Sequence, residues 1–267
     1  MKGLTQSIVF FFKHIYRSKS FWVTVGGIVV MFLLTWGISA SVFNNIPPGT
    51  KEGKIIATYD LTSINLLNGM AQLMVYIGLF AVAINVNSVV KRGVLDLFLS
   101  LPVRRWELLT GAFIAGILFE LVVLAIVISG SWLIHSSVFG IFYGENLHWG
   151  LLNLLGFVVM FHLVLFLSFG FRSPIAGLLV AIAYAVVVSS ILFVARELTM
   201  TSGNAVLRET VNTLYWILPK SAEFANPFFM SSQNLPEGHI LKLVLSTIFF
   251  IFTVFGLTII VFEKKDH

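Results

Sequence analysis

Two residues of this 267-residue chain have side chains that can hold or pass a proton inside an apolar run: Glu120, near the middle of 108–134, and His162, within 151–171. A carboxylate at the centre of a membrane helix costs roughly 2.5–3.5 kcal/mol on insertion scales, so it marks a pathway or a paired polar site. Counted from Leu108 and Phe171, the ends of the two runs on one side, the depths of Glu120 and His162 agree within about one helical turn. The spacing therefore predicts a carboxyl and an imidazole that can meet and share a proton. Such a pair serves either as part of a translocation path or as hydrogen-bonded glue between helices.

Other chemistry finds no residues to carry it. The six histidines lack the His-Glu-x-x-His spacing of a metalloprotease, no Gly-x-Ser-x-Gly nucleophile turn occurs, and no membrane run carries paired carboxylates. The stretch Gly49-Thr50-Lys51-Glu52-Gly53-Lys54-Ile55 is one residue short between its glycines for a phosphate-binding loop and has no Ser or Thr after its lysine. With no cysteine there is no thiolate metal site, disulfide or cysteine nucleophile. The expectation is a chain that is not an enzyme and holds no cofactor or metal.

The elements that position Glu120 and His162 follow from composition. Hydrophobic residues make up 58% of the chain and charged residues 11%, and mean hydropathy is +0.95, whereas soluble domains carry about 25% charged residues. This predicts an all-α integral membrane protein, a single domain over 1–267, with six spans at about 21–43, 63–90, 108–134, 151–171, 174–195 and 240–262. Residues 3–18 place Leu4, Ile8, Phe11, Phe12 and Ile15 on one helical side and Gln6, Lys13 and Arg17 on another, the pattern of an interfacial helix on the cytosolic leaflet. The basic cluster Lys13, Arg17 and Lys19 stands where a signal peptide has its cleavage site, so a removable leader is not expected. The amides Asn65, Asn68, Gln72, Asn85 and Asn87 in the second run should face other helices or a cavity. Ser173 and Pro174 suit the cap and first turn of the fifth helix, so helices four and five should be antiparallel neighbours. The segment 135–149 reads as a polar connection. Within the long loop 196–239, an amphipathic piece at 206–217 and an apolar patch at 228–230 are each too short to span, and read as surface or re-entrant helices.

Loop charges orient these runs. With the N-terminal end inside, Lys2, Lys13, Arg17, Lys19, Lys91, Arg92, Arg104, Arg105, Arg172, Lys264 and Lys265 are cytosolic, eleven of the 17 basic residues. Net charge +5 thus reflects membrane orientation and not nucleic-acid binding. The expected location is the cytoplasmic membrane, multi-pass, with both termini cytosolic.

The cytosolic loop between the second and third runs is the most informative stretch. Val94, Leu97, Phe98 and Leu101 form one face of a short amphipathic helix, with Arg92, Asp96 and Ser100 recurring on the other, and Pro102 ends it. The order Arg92-Gly93-Val94-Leu95-Asp96, then Leu99, Ser100, Pro102, Val103, Arg105, Trp106 and Glu107, resembles the cytosolic loop of export-family (type two) ABC transporter permeases. In that family an acidic residue precedes Gly-Thr-Leu-Glu, two leucines, a proline and a basic residue. Here Val94 replaces Thr, Asp96 replaces Glu, Ala112 stands where a Lys often follows Gly111, and Asn87, Ser88 and Val89 stand where the upstream acid is usual.

The resemblance implies a coupling helix in 91–106 seated on a separate ATPase subunit. The residues in contact would be Arg92, Gly93, Val94, Asp96, Leu97, Phe98, Leu101, Pro102 and Arg105. It also implies a complex of two permeases, the second a copy or a paralogue, with an ATPase dimer that carries the ATP and Mg. Two other classes fit the same sequence: a proton-coupled secondary transporter using Glu120, and a non-transporting membrane assembly factor.

Overall fold

Backbone amides and carbonyls in apolar runs of this length are satisfied only within helices when water is absent, and every element seen is helical. The structure, a computed structural model, describes residues 2–45, 68–89, 104–140, 145–171, 173–200, 204–219, 224 and 238–264. The elements are α1 (Lys2–Arg17), α2 (Lys19–Asn45), α3 (Asn68–Val89), α4 (Arg105–Phe139), α5 (Glu145–Phe171), α6 (Pro174–Ala183), a π-helical turn (Tyr184–Val188), α7 (Ser189–Met200), α8 (Ala205–Ile217) and α9 (His239–Lys264).

Among the described residues, five stretches are long and apolar enough to cross a membrane: Lys19–Ser41, Arg105–Val138, Leu151–Phe171, Ile175–Thr199, which runs from α6 through the π-turn into α7, and Leu241–Lys264. The second expected span corresponds to α3, a helix of 22 residues that includes the apolar stretch Tyr76–Val86; residues 63–67 and 90 of that run lie outside the described residues.

α4 is the axis of the bundle. It is 35 residues long, about 52 Å at 1.5 Å per residue, and extends past the expected 108–134 at both ends. Glu107 explains the earlier start, because its carboxylate accepts the Arg104 N–H (3.0 Å) and caps the first turn. At the far end Gly140, at φ 71°, donates its N–H to Ser136 O (3.1 Å) and closes the helix. α5 likewise starts at Glu145, so 135–149 is not a polar loop. Helix covers 135–139 and 145–149, and Ser136 and Ser137 bond to carbonyls in their own helix; 141–144 lie outside the described residues.

The hairpin of α5 and α6 forms as its sequence dictates. Ser173 Oγ accepts the Ala176 N–H (3.3 Å) and Pro174 occupies the first turn. Gly177 then packs so close to Ser168 that a Cβ there would strike the Ser168 backbone. Beyond α7, the chain folds back. Arg196 lies over the rings of Tyr215 (4.3 Å) and Trp216 (5.7 Å), Tyr184 donates its hydroxyl to Pro219 O (3.0 Å), and Phe224 is buried with Leu152 and Leu243 between α5 and α9. The amphipathic piece expected at 206–217 is α8; the patch 228–230 lies outside the described residues.

α1 does not lie apart from the spans. Its Ser7, Phe11 and Ile15 are buried, and α1 makes its most extensive packing against α4, while Gln6, Lys13 and Arg17 stay exposed. Small residues permit this approach: at Gly111 a Cβ would collide with Ser7 Cβ and the α1 backbone. At Ser18 the helix breaks, and Ser18 Oγ accepts the Phe21 N–H (3.2 Å) to cap α2. Asn85 of α3 clamps the break by donating to Ser20 Oγ (2.8 Å) and Ser18 Oγ (3.2 Å), the interhelical use expected of an amide in this setting.

Candidate functional site

Of the residues that resemblance assigns to coupling, Arg92, Gly93, Val94, Asp96, Leu97, Phe98, Leu101 and Pro102 lie outside the described residues. Their attachment to the bundle is described, and Arg105 belongs to it. Arg105 is the first residue of α4, and its Nη1 donates to Glu263 O (3.4 Å) near the end of α9. A guanidinium suits that place, because the last carbonyls of a helix carry partial negative charge. Two residues on, the Glu107 carboxylate lies against Gly3 of α1, where a Cβ would come within 2.8 Å of Oε2. Glu107 thus sits where the positive ends of two helices, α1 and α4, converge. The start of α4 is a node, in contact with both the beginning of α1 and the end of α9. The same contacts put those three helix ends at one end of the bundle.

Glu120 is completely buried, and among the described residues neither carboxyl oxygen has a hydrogen-bond partner. Its Oε2 occupies the space that Gly78 of α3 leaves open, and a Cβ at Gly78 would collide with it. His162 is 5% exposed. Its Nδ1 donates to Val158 O (2.6 Å), and its ring stacks on Phe113 (4.1 Å between centroids) with Phe255 edge-on at 5.8 Å.

The proton-sharing contact expected between these two residues is not made. His162 is level with Phe113, seven residues and so about 10 Å along α4 from Glu120. Leu108 is not the start of the helix, because α4 begins at Arg105. Those extra residues shift Glu120 away from His162. What the sequence did not single out is Gly78, whose missing side chain makes the room, or Gly111, which admits α1; their only signal is that a glycine within an apolar helix often marks a close approach. Among the described residues no three His, Asp or Glu side chains gather to hold a metal ion.

No protein-family model matches this chain, and no curated protein matches it.

Proposed function

We propose that this chain is the membrane-spanning subunit of an ATP-driven exporter of the type two ABC class, with α3 completing six spans and a second permease completing the pathway. The observation that carries this reading is the node at the start of α4. The loop 91–106, whose residues resemble the family's coupling helix, feeds directly into Arg105 and Glu107, which touch α9 and α1. ATPase closure pushing on that loop moves α4 together with the beginning of α1 and the end of α9, a unit large enough to change access to a path between two permeases. The excess of basic residues in these loops supports a cytosolic position for this end of the bundle.

The test is Phe98→Ala combined with Leu101→Ala. Truncating a buried apolar anchor at an interface typically costs about 2 kcal/mol or more, so ATP-driven transport is lost while the chain still folds in the membrane. Full transport by the double variant overturns this interface.

One observation favours a second reading, a proton-coupled secondary transporter: the buried carboxyl of Glu120 has no hydrogen-bond partner among the described residues. Glu120→Gln separates the two. It keeps shape and hydrogen-bonding capacity but removes ionisation, so the exporter retains ATP-driven transport, whereas a proton carrier assembles and does not transport.

A further inference from the structure

We infer that the break between α1 and α2 is a binding site for an anionic phospholipid, with the headgroup over Lys13, Arg17 and Lys19 and a short stretch of one acyl chain in the cavity beside them. The inference rests on the chain being in a bilayer and not on its being an exporter. The cavity measures about 110 Å³ and is walled by Phe12, Ile15, Tyr16, Phe21, Phe119 and Val122. Every one of these is apolar or aromatic. Two of them, Tyr16 and Val122, are exposed at 48% and 38%, so the space reaches the surface.

The rim is of opposite character. Lys13, Arg17 and Lys19 are exposed, and the one ion pair among the described residues is elsewhere, between Arg196 and Glu197. Lys13 follows Phe12, Arg17 follows Tyr16 and Lys19 precedes Phe21 by two residues, so each of the three cations is within two residues of a cavity wall. A free phosphate matches the charges but not the slot, and a neutral lipid matches the slot but not the charges. An anionic phospholipid satisfies both, and long basic side chains reach headgroups while their stems stay against apolar surface. Tyr16 and Trp22 support the depth: both rings are exposed, at 48% and 58%, and their centroids lie 5.9 Å apart, the placement of an interfacial aromatic belt. The backbone here is held in shape by Asn85, which bonds Ser18 and Ser20, so the site is formed before a lipid arrives.

The experiment is native mass spectrometry on the full-length chain, purified in the assembly it forms, delipidated, and titrated with phosphatidylglycerol or phosphatidylcholine. The wild type retains phosphatidylglycerol in preference to phosphatidylcholine. Replacing all three cations (Lys13→Gln, Arg17→Gln, Lys19→Gln) reduces that preference on the order of a hundredfold, from the strength of single basic residues near an anionic surface. Val122→Phe fills the slot with every charge kept and weakens both lipids, which keeps the proposal testable if the triple variant misinserts. Inorganic phosphate does not displace the bound lipid. Wild-type preference in the triple variant, undiminished binding in Val122→Phe, or displacement by phosphate, which indicates a free-anion site, each overturns the assignment.

Discussion

Gly111 and Gly26 are both glycines within apolar helices, yet their surroundings make opposite predictions. A Cβ at Gly111 meets the α1 backbone at Ser7 and Ile8, whereas one at Gly26 meets nothing within 4 Å. Gly111→Ala should therefore cost about 1–3 kcal/mol by forcing α1 off α4. Gly26→Ala should be neutral or stabilising by up to about 1 kcal/mol, through helix propensity and the unfolded chain. Thermal inactivation of the detergent-solubilised protein, followed by size-exclusion chromatography, compares the two; equal losses contradict the described crossing. At this scale sequence reading was uneven for a physical reason. Glu120 announces itself, because a charge in an apolar run is costly. Its neighbour does not, because a glycine carries no chemistry of its own and the role of Gly78 exists only once α3 is laid against α4. The partner chosen for Glu120 failed on a few residues of helix length.

Local signals fixed some elements well. Ser173 and Pro174 define their helix start by capping and by a fixed φ, both local effects. The ends of α4 depend on Glu107, Gly140 and backbone-bonded serines, which hydropathy ignores. The packing of α1 along α4 depends on contacts about a hundred residues apart, such as Ser7 with Gly111. One consequence belongs to the elements themselves. α3, α5 and α9 meet the first half of α4, through Gly78 at Glu120, His162 at Phe113 and Glu263 at Arg105. α2 meets α4 from just before its midpoint onward, through Phe21 at Phe119 and Phe32 at Gly130. A helix of about 52 Å against a hydrocarbon core of about 30 Å reconciles the two registers only by crossing obliquely. Spin labels at the exposed Leu33 of α2 and Phe252 of α9 test this. Oblique crossing puts them within about one turn of the same depth, while an upright α4 separates them by about 20 Å. Collision with oxygen and with a polar nickel reagent reads the depth directly.

For the whole molecule, the sequence made legible the helical class and five stretches long and apolar enough to cross a membrane, because hydropathy is additive and needs no partner. The proposed function rests on the short stretch 91–106, whose proposed role is to offer a surface to another protein and which, up to residue 103, lies outside the described residues. Orientation is testable on a background without cysteine. An impermeant thiol reagent on intact cells should label Gly49→Cys and Gln233→Cys and spare Arg104→Cys, and the reverse pattern inverts the topology. The central claim, that 91–106 seats on a separate ATPase, is tested most directly by a photo-crosslinking amino acid at Phe98 in the full-length chain, activated in intact cells, with the adduct identified by mass spectrometry. The account predicts one dominant adduct, an ATPase subunit with a phosphate-binding loop, lost when Leu101 is also replaced by Ala. A correctly inserted chain that yields no adduct, or one with a protein lacking a nucleotide site, contradicts it.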